Sequence, residues 1–334
     1  MKKKSVLFVY ISFQSFVRTD YEILSSEFDV RKYQFKPVKG ILNTGIELVR
    51  QFFFLMINIW KFDSIYIWFA DYHSLLPVLF AKILGKKSYV VVGGYDICRE
   101  RKLGYGSFCS AFRGFFSAQT IKNCTLNLTV SNYVDRKVDF VFPEAKRKMI
   151  YNCVHLDPLD SVLITKEKMI LCVALVETER TFKLKGIDTF LTLSLLLPQY
   201  KFVLIGPDKA GLLLFPEPLP PNFTMYQKLP HDELIKYFQK ASFYCQFSQI
   251  ESFGVAIGEA MLYGCIPLVT NKGGMPEVVG LESLIVPRNV EKVATLIGGM
   301  EGSDQTALRK ACRERILTRF SFDQRKEALL AQIG

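Results

Sequence analysis

Residues 243–270 read FYCQFSQIESFGVAIGEAMLYGCIPLVT, and the organisation of the chain follows from them. Phe243 to Phe247 is short, apolar and rich in β-formers, as a strand buried in a parallel sheet must be. Ser248-Gln249-Ile250-Glu251-Ser252 is polar enough for a loop. Small and apolar residues from Phe253 to Tyr263 predict a helix, which Gly264 stops. Ile266 to Thr270 is a second buried strand. Strand, helix and strand in that order argue for an α/β fold with a doubly wound parallel sheet.

Glu251 and Glu259 stand eight positions apart. One lies on the loop at the strand's carboxyl end and the other in the first two turns of the helix, so both can look into one crevice. Gly254 lets a ligand or backbone approach closely at the helix start. The N–H groups there, at the positive end of the helix dipole, make a seat for an anion. A diphosphate suits that seat. One carboxylate then accepts both hydroxyls of a ribose, and the other holds hydroxyls of a further sugar. Two acids at this spacing alone are as readily a solvated helix face. The buried strand before them and the Phe253-Gly254 start favour the binding reading.

Working outward, the same alternation recurs on both sides. Upstream lie strand Met169 to Leu175, helix Ile187 to Leu197, strand Lys201 to Ile205 and helix Asp232 to Lys240. A loop read from Val176 to Lys183 leads to Lys185-Gly186. Arg180 and Lys185 could neutralise phosphates from the opposite side of the crevice, with Lys183 as a substitute for Arg180. No D-x-D motif offers a metal seat, so neither a metal nor a cofactor is expected. In the first half, strands are expected at Ser5 to Ile11, Phe28 to Phe35, Ser64 to Phe69 and Tyr89 to Val92, with helices at Asp20 to Glu27, Ile41 to Trp60 and Ser74 to Leu84. Phe52-Phe53-Phe54 and Trp60 read as core or interdomain packing, with a membrane wedge as the alternative. The fourth strand ends in Gly93-Gly94-Tyr95-Asp96. Asp96 is a candidate for orienting an acceptor hydroxyl, and equally a good turn residue. His73 and His231 read as hydrogen-bonded structural residues, with His73 also an acceptor-side candidate.

Val141 to Ile164 holds Pro143 and Pro158 and suits an interdomain crossing. The expected domains are 1–155, 156–315, and a last segment, 316–334, packing back on the first. The cleft between two such domains is the default ligand site.

Charge separates the halves. The net charge of +11 resides in residues 1–152, with 23 Lys and Arg against 12 Asp and Glu, while residues 153–334 hold 20 of each. The first half also carries 29 of the 45 Phe, Trp and Tyr. This balance suggests an anionic, partly apolar partner such as a membrane surface or a lipid-linked phosphate, against the plainer reading of a solvated basic face. The stretch from Arg99 to Lys122 mixes cations with aromatics in the same manner. No nucleic-acid motif is present, so nucleic acid is not an expected partner. The longest uncharged runs, such as Ser5 to Val17, Thr189 to Tyr200 and Ala260 to Asn271, reach 12 to 13 residues, short of a membrane span. No secretory signal is apparent. The eight cysteines form no C-x-x-C pair and read as reduced core thiols of a cytoplasmic protein.

The stretch ESFGVAIGEAM, then Gly264-Cys265-Ile266-Pro267 and Gly273-Gly274-Met275-Pro276-Glu277, resembles the signature of the GT4-type glycosyltransferases of GT-B fold. Arg180, Lys185 and Gly186 match that family's R-x-x-x-x-K-G. Phe202 to Gly206 and Pro230-His231-Asp232-Glu233-Leu234 match its flanking segments. The likeness is specific over about residues 169–290 and looser over 64–155.

It implies two Rossmann-like domains facing a central cleft, and transfer of a sugar from a nucleotide-sugar donor to a hydroxyl of a glycan or lipid-linked acceptor, with retention and without a metal. It implies that Glu259 binds the donor ribose. Glu251, Ser252, Phe253, Gly254 and Val255 would hold the donor, with Gly206 and Leu229 lining its site. Arg180 and Lys185 would meet the diphosphate, and Gly94, Asp96 and His73 would stand on the acceptor side. A phosphate oxygen of the leaving group would take the acceptor proton. The resemblance further implies surface polysaccharide or glycoconjugate synthesis, at the inner face of a membrane. Three departures stand out: the glycine-rich loop usual after the first strand is replaced by Ser12-Phe13-Gln14-Ser15-Phe16, the glycine often found before the signature Phe is Ser252, and the His often found near Gly93-Gly94 is missing. A non-catalytic nucleotide-sugar-binding subunit, or an epimerase or phosphorylase of the same fold, is the alternative.

Overall fold

The computed structural model describes residues 3–36, 40–154 and 165–334. The chain divides into two units, Met1–Asn152 with Arg325–Gly334, and Cys153–Gln324. The expected boundaries at 155/156 and 315/316 thus differ from the observed ones. The crossing expected between Val141 and Ile164 falls partly on residues 155–164, which lie outside the described residues. Residues 316–324 stay with the second unit.

The first unit runs β1 (Ser5–Tyr10), α1 (Ser15–Glu27), β2 (Asp29–Gln34), α2 (Ile41–Asn58), β3 (Ser64–Trp68), α3 (Tyr72–Ile83), β4 (Lys87–Val92), α4 (Ala111–Asn123), β5 (Leu126–Thr129), α5 (Asn132–Val141) and β6 (Arg147–Met149). Its six strands are parallel, in the order β2-β1-β3-β4-β5-β6. β3 is buried along its whole length, so helices cover both of its faces and its sequence carries no polar alternation. The last ten residues return to this unit. Arg325, on the closing helix, makes paired bonds to buried Asp20, Nε to Oδ1 at 2.6 Å and Nη2 to Oδ2 at 2.7 Å. Tyr66 donates to the same Oδ2 at 2.6 Å, and Arg325 Nη1 donates to the Tyr151 carbonyl at 2.6 Å. Every charge in this buried group therefore has a partner, as burial requires.

The second unit runs β7 (Glu167–Val176), α6 (Glu179–Lys185), α7 (Ile187–Leu196), β8 (Lys201–Pro207), α8 (Lys209–Leu212), β9 (Phe223–Tyr226), α9 (His231–Lys240), β10 (Ala241–Gln246), α10 (Val255–Leu262), β11 (Ile266–Thr270), α11 (Met275–Val279), β12 (Ile285–Val286), α12 (Val290–Met300) and α13 (Thr306–Arg319). Helix α14 (Phe322–Ile333) leads out of it into the first unit. Six parallel strands follow the order β12-β11-β10-β7-β8-β9. The order reverses between β7 and β10, and loops leaving the carboxyl ends of two such strands open a crevice.

Three expectations need correction. The segment from Val176 to Lys183 is not a long loop. Thr178 caps a short helix there, accepting from Thr181 N while Thr181 Oγ1 accepts from Thr178 N. Phe52, Phe53 and Trp60 are not core: they are 40, 59 and 67 % exposed. α2 instead buries Thr44, Glu47 and Gln51 together with Leu55. Of the eight free thiols, Cys109 is exposed rather than part of a core.

Candidate active site

The crevice is built from two loops on adjacent strands. After β7 the chain makes α6 and turns sharply at Gly186, which has φ 69°. A Cβ there would stand 2.2 Å from the Phe247 carbonyl oxygen, so only glycine lets α6 approach the end of β10 this closely. The contact is stitched by two bonds: Gln249 N donates to Leu184 O at 2.8 Å, and Gln249 Nε2 donates to Lys183 O at 2.9 Å. Held in this way, Lys185 reaches across the loops, and its Nζ lies 2.8 Å from Glu251 Oε2.

Glu251 is fixed from three further directions. Gln246 Nε2 donates to Oε2 at 3.0 Å, and Ser252 N donates to Oε1 at 3.2 Å. Its own carbonyl accepts from Gly274 N at 2.8 Å. The Gly273-Gly274 turn lies so close that a Cβ on Gly273 would meet the Glu251 carbonyl oxygen at 1.8 Å. Gln246 is in turn oriented by Tyr244, whose hydroxyl donates to Gln246 Oε1 at 3.0 Å. Tyr244 titrates well above its ordinary value, chiefly because it is buried; Cys172 and the carboxylates of Glu251 and Glu259 add to the rise. Both acids therefore lie within electrostatic reach of one phenol.

Glu259 differs from Glu251. Its side chain keeps some access to solvent yet makes no side-chain hydrogen bond or ion pair among the described residues. Dense surroundings push its carboxyl up to about 7 from 4.5. It sits at the start of the second turn of α10, whose N-cap is Gly254 at φ 99°. The N–H groups of Val255 and Ala256 precede the first carbonyls the helix could offer them, which leaves donors and a positive dipole end at this loop.

The remaining expected residues are distributed as follows. Ser252, Phe253 and Val255 lie on the loop and first turn beside Glu251. Gly206 is in β8, and Leu229 lies between β9 and α9, on the side of the sheet beyond β7. Arg180 stands on exposed α6, and nothing described brings it to Glu251. Asp96, Gly94 and His73 belong to the first unit. The Asp96 carboxylate is saturated by backbone: Oδ2 accepts from Ala70 N at 3.0 Å and Gly93 N at 3.1 Å, and Oδ1 accepts from Gly94 N at 2.7 Å. Burial pushes it up to about 6 even so, because desolvation outweighs those bonds. It shapes the loop after β4 rather than presenting a free oxygen. His73 is fully buried, its Nε2 donating to Trp68 O at 2.9 Å, and burial lowers its pKa. His231 opens α9.

Gln246 and Tyr244 escaped the sequence reading. Their signal was a glutamine and a tyrosine in the otherwise apolar FYCQF, where a side-chain amide has to be hydrogen-bonded. A pocket of about 830 Å³ opens beside the same loop toward β11 and β12, lined by Ser248, Thr270, Lys272 and Arg288 among others; Glu251, Glu259 and Lys185 do not line it. Among the described residues no group of three or more metal-ligating side chains converges, and no helix is long and apolar enough to cross a membrane.

Comparison with known proteins bears on the family and the fold. Residues 160–316 match the family model described as Glycosyl transferases group 1. A curated relative, an uncharacterized 41.2 kDa protein in the cps region of Klebsiella pneumoniae, is 25% identical over 280 residues, 78% of this chain and 75% of the relative. The solved structure of Anabaena HepE in complex with UDP and glucose superposes with a TM-score of 0.71 at 15% identity, covering 98% of each chain. That of WaaG, a glycosyltransferase involved in lipopolysaccharide biosynthesis, gives 0.70 at 13% identity over 99% of this chain and 100% of WaaG. Residues 160–316 are thus similar to the group 1 glycosyl transferases, and the chain as a whole has the two-domain GT-B fold.

Proposed function

We propose that this glycosyltransferase is a retaining, metal-independent enzyme of the GT4 type, which takes a nucleotide-sugar donor and builds a surface glycan on a glycan or lipid-linked acceptor. One observation carries the reading: Lys185 and Glu251 meet at 2.8 Å beside the start of α10, while Glu259, in the same helix, makes no side-chain hydrogen bond or ion pair among the described residues. A diphosphate at the helix start would take charge stabilisation from the α10 amides and from Lys185. Glu259 would accept the ribose hydroxyls, and Glu251, braced by Gln246, would hold hydroxyls of the donor sugar. As the glycosidic bond to the diphosphate breaks, a phosphate oxygen would take the acceptor proton on the same face, so no protein nucleophile is invoked. No cofactor enters; the nucleotide sugar is consumed as a substrate. HepE's complex with UDP and glucose, WaaG's part in lipopolysaccharide biosynthesis and the relative's place in a cps region support this substrate class. The basic, aromatic-rich first unit suits a membrane-proximal acceptor on the inner face of a membrane.

The test is a thermal-shift screen against UDP-, GDP- and ADP-sugars, followed by titration of Glu259→Ala with the best ligand. A ligand-dependent shift in the parent, weakened about tenfold or more in the variant, is the expected result. Unchanged affinity in the variant, or no shift with any donor, overturns the reading. The anomeric configuration of the product, read by NMR, tests retention.

A further inference from the structure

Helix α2 turns a broad apolar face outward. Leu42, Ile46, Val49, Phe53, Met56 and, just past its end, Trp60 recur at spacings of four and three, and all are exposed. Phe52 and Ile57 widen this band; at roughly 100° per residue it spans an arc of about 140°. The opposite side buries Thr44, Glu47 and Gln51 together with Leu55 and, just past the helix end, Ile59. A surface helix facing only water would gain by the reverse arrangement, apolar inward and polar outward. The band therefore has a partner.

The charges on its border identify the chemistry of that partner. Arg50 and Lys61, both exposed, lie along one edge of the band. Beyond them the edge strand β2 adds Arg31, whose guanidinium sits 5.8 Å from the Phe54 ring centre. The single acid of α2, Glu47, is buried. On the other edge Phe52 packs on Phe80 of α3 at 5.6 Å, and the apolar surface continues to Ile83, 80 % exposed. A helix pair needs a narrower seam, about two positions in seven. A broad apolar band ending in a tryptophan, with cations along one border and no exposed acid on the helix, matches the interface of a bilayer with anionic headgroups.

We infer that the first unit docks on an anionic lipid bilayer through the outward face of α2, lying in the interface without crossing it. The inference rests on the membrane-proximal acceptor proposed above and assigns it a surface. The docked face would draw a lipid-linked acceptor from the bilayer in which α2 lies.

The chain's two tryptophans make the test local. Trp60 is exposed and Trp68 is buried. Vesicles of phosphatidylcholine, with and without phosphatidylglycerol, are added to the full chain. The expected result is a blue shift of Trp60 emission with the anionic vesicles, quenching by lipids brominated on their acyl chains, and loss of both signals in Trp60→Phe. Phe53→Glu with Ile57→Glu should cut vesicle co-sedimentation at least tenfold while leaving the far-ultraviolet dichroism and the affinity for the best nucleotide donor unchanged. Co-sedimentation without any change at Trp60 overturns the assignment to α2 but leaves the transferase reading standing. No binding to either vesicle overturns lipid docking. A concentration-dependent blue shift without lipid, abolished by Ile57→Glu, gives the face to a second copy of the chain and likewise overturns it. Loss of donor binding in Glu259→Ala is scored separately, so the two readings fail independently.

Discussion

Lys185 and Glu251 lie 66 positions apart in sequence and 2.8 Å apart in space, and the contact joins the two loops that leave β7 and β10. Both side chains are about three-quarters shielded, so each needs the other or a ligand charge. Lys185→Met should lower transfer by about a hundredfold, through loss of charge stabilisation at the leaving diphosphate. Glu251→Gln should retain the fold, since an amide oxygen in the place of Oε2 still accepts from Gln246 and Lys185, yet it gives up the Ser252 N bond and should raise the donor KM and lower kcat together. Steady-state kinetics on purified variants decide. Equal losses in a Lys185→Met variant and in one that also carries Glu251→Gln would show that the pair acts as a unit.

Glu259 makes folding stability depend on pH. Its carboxyl rises from 4.5 to about 7 in the folded chain, and Asp96 rises from 3.8 to about 6. The native state therefore holds more protons than the unfolded chain between those values, and stability should fall as pH rises through them. Glu259→Gln should flatten the upper part of this slope, with a gain on the order of 1 kcal/mol or more at pH above 7. Urea titrations of parent and variant across the range measure it. A variant less stable than the parent at high pH would contradict the shift.

Asp96 is a test of position against chemistry. Its oxygens accept from three backbone N–H groups, so Asp96→Asn would point an amide donor at donors. A loss of about 1–3 kcal/mol in stability is expected. Activity measured well below the unfolding temperature should change far less than in Lys185→Met. A large kcat loss with unchanged stability would make Asp96 a participant rather than a brace of its loop.

The Asp20–Arg325 pair anchors the end of the chain to the first unit. Arg325→Leu strands a buried carboxylate and should cost about 3–5 kcal/mol. Adding Asp20→Leu should recover much of that loss, because the uncompensated charge is then gone. Denaturant midpoints of the single and double variants check the sign of the coupling.

Some of this molecule was legible from residue order because the physics is local. Runs of β-branched and aromatic residues bounded by Gly, Asp and Ser mark buried strands wherever they fold, and most expected strands and helices lie within a few residues of those observed. The loop Ser248 to Ser252, the Gly254 start and the placement of Glu259 on the following helix also depend only on near neighbours. α6 was missed because a Thr-x-x-Thr capping box is a weak signal beside a short helix.

Long-range contacts hold the rest. Nothing in the stretch around Lys185 announces that Gly186 will rest on the Phe247 carbonyl and bring the ammonium to Glu251; strand order brings those segments together. Gly93-Gly94-Tyr95-Asp96 reads as well for a free carboxylate as for a saturated one, and the backbone of Ala70 settles the matter. The apolar run of α2 has a periodicity that is the same whether it faces a core or a bilayer. Which side turns outward depends on what β2 and α3 already cover, a property of the assembled layers that no window of residues contains.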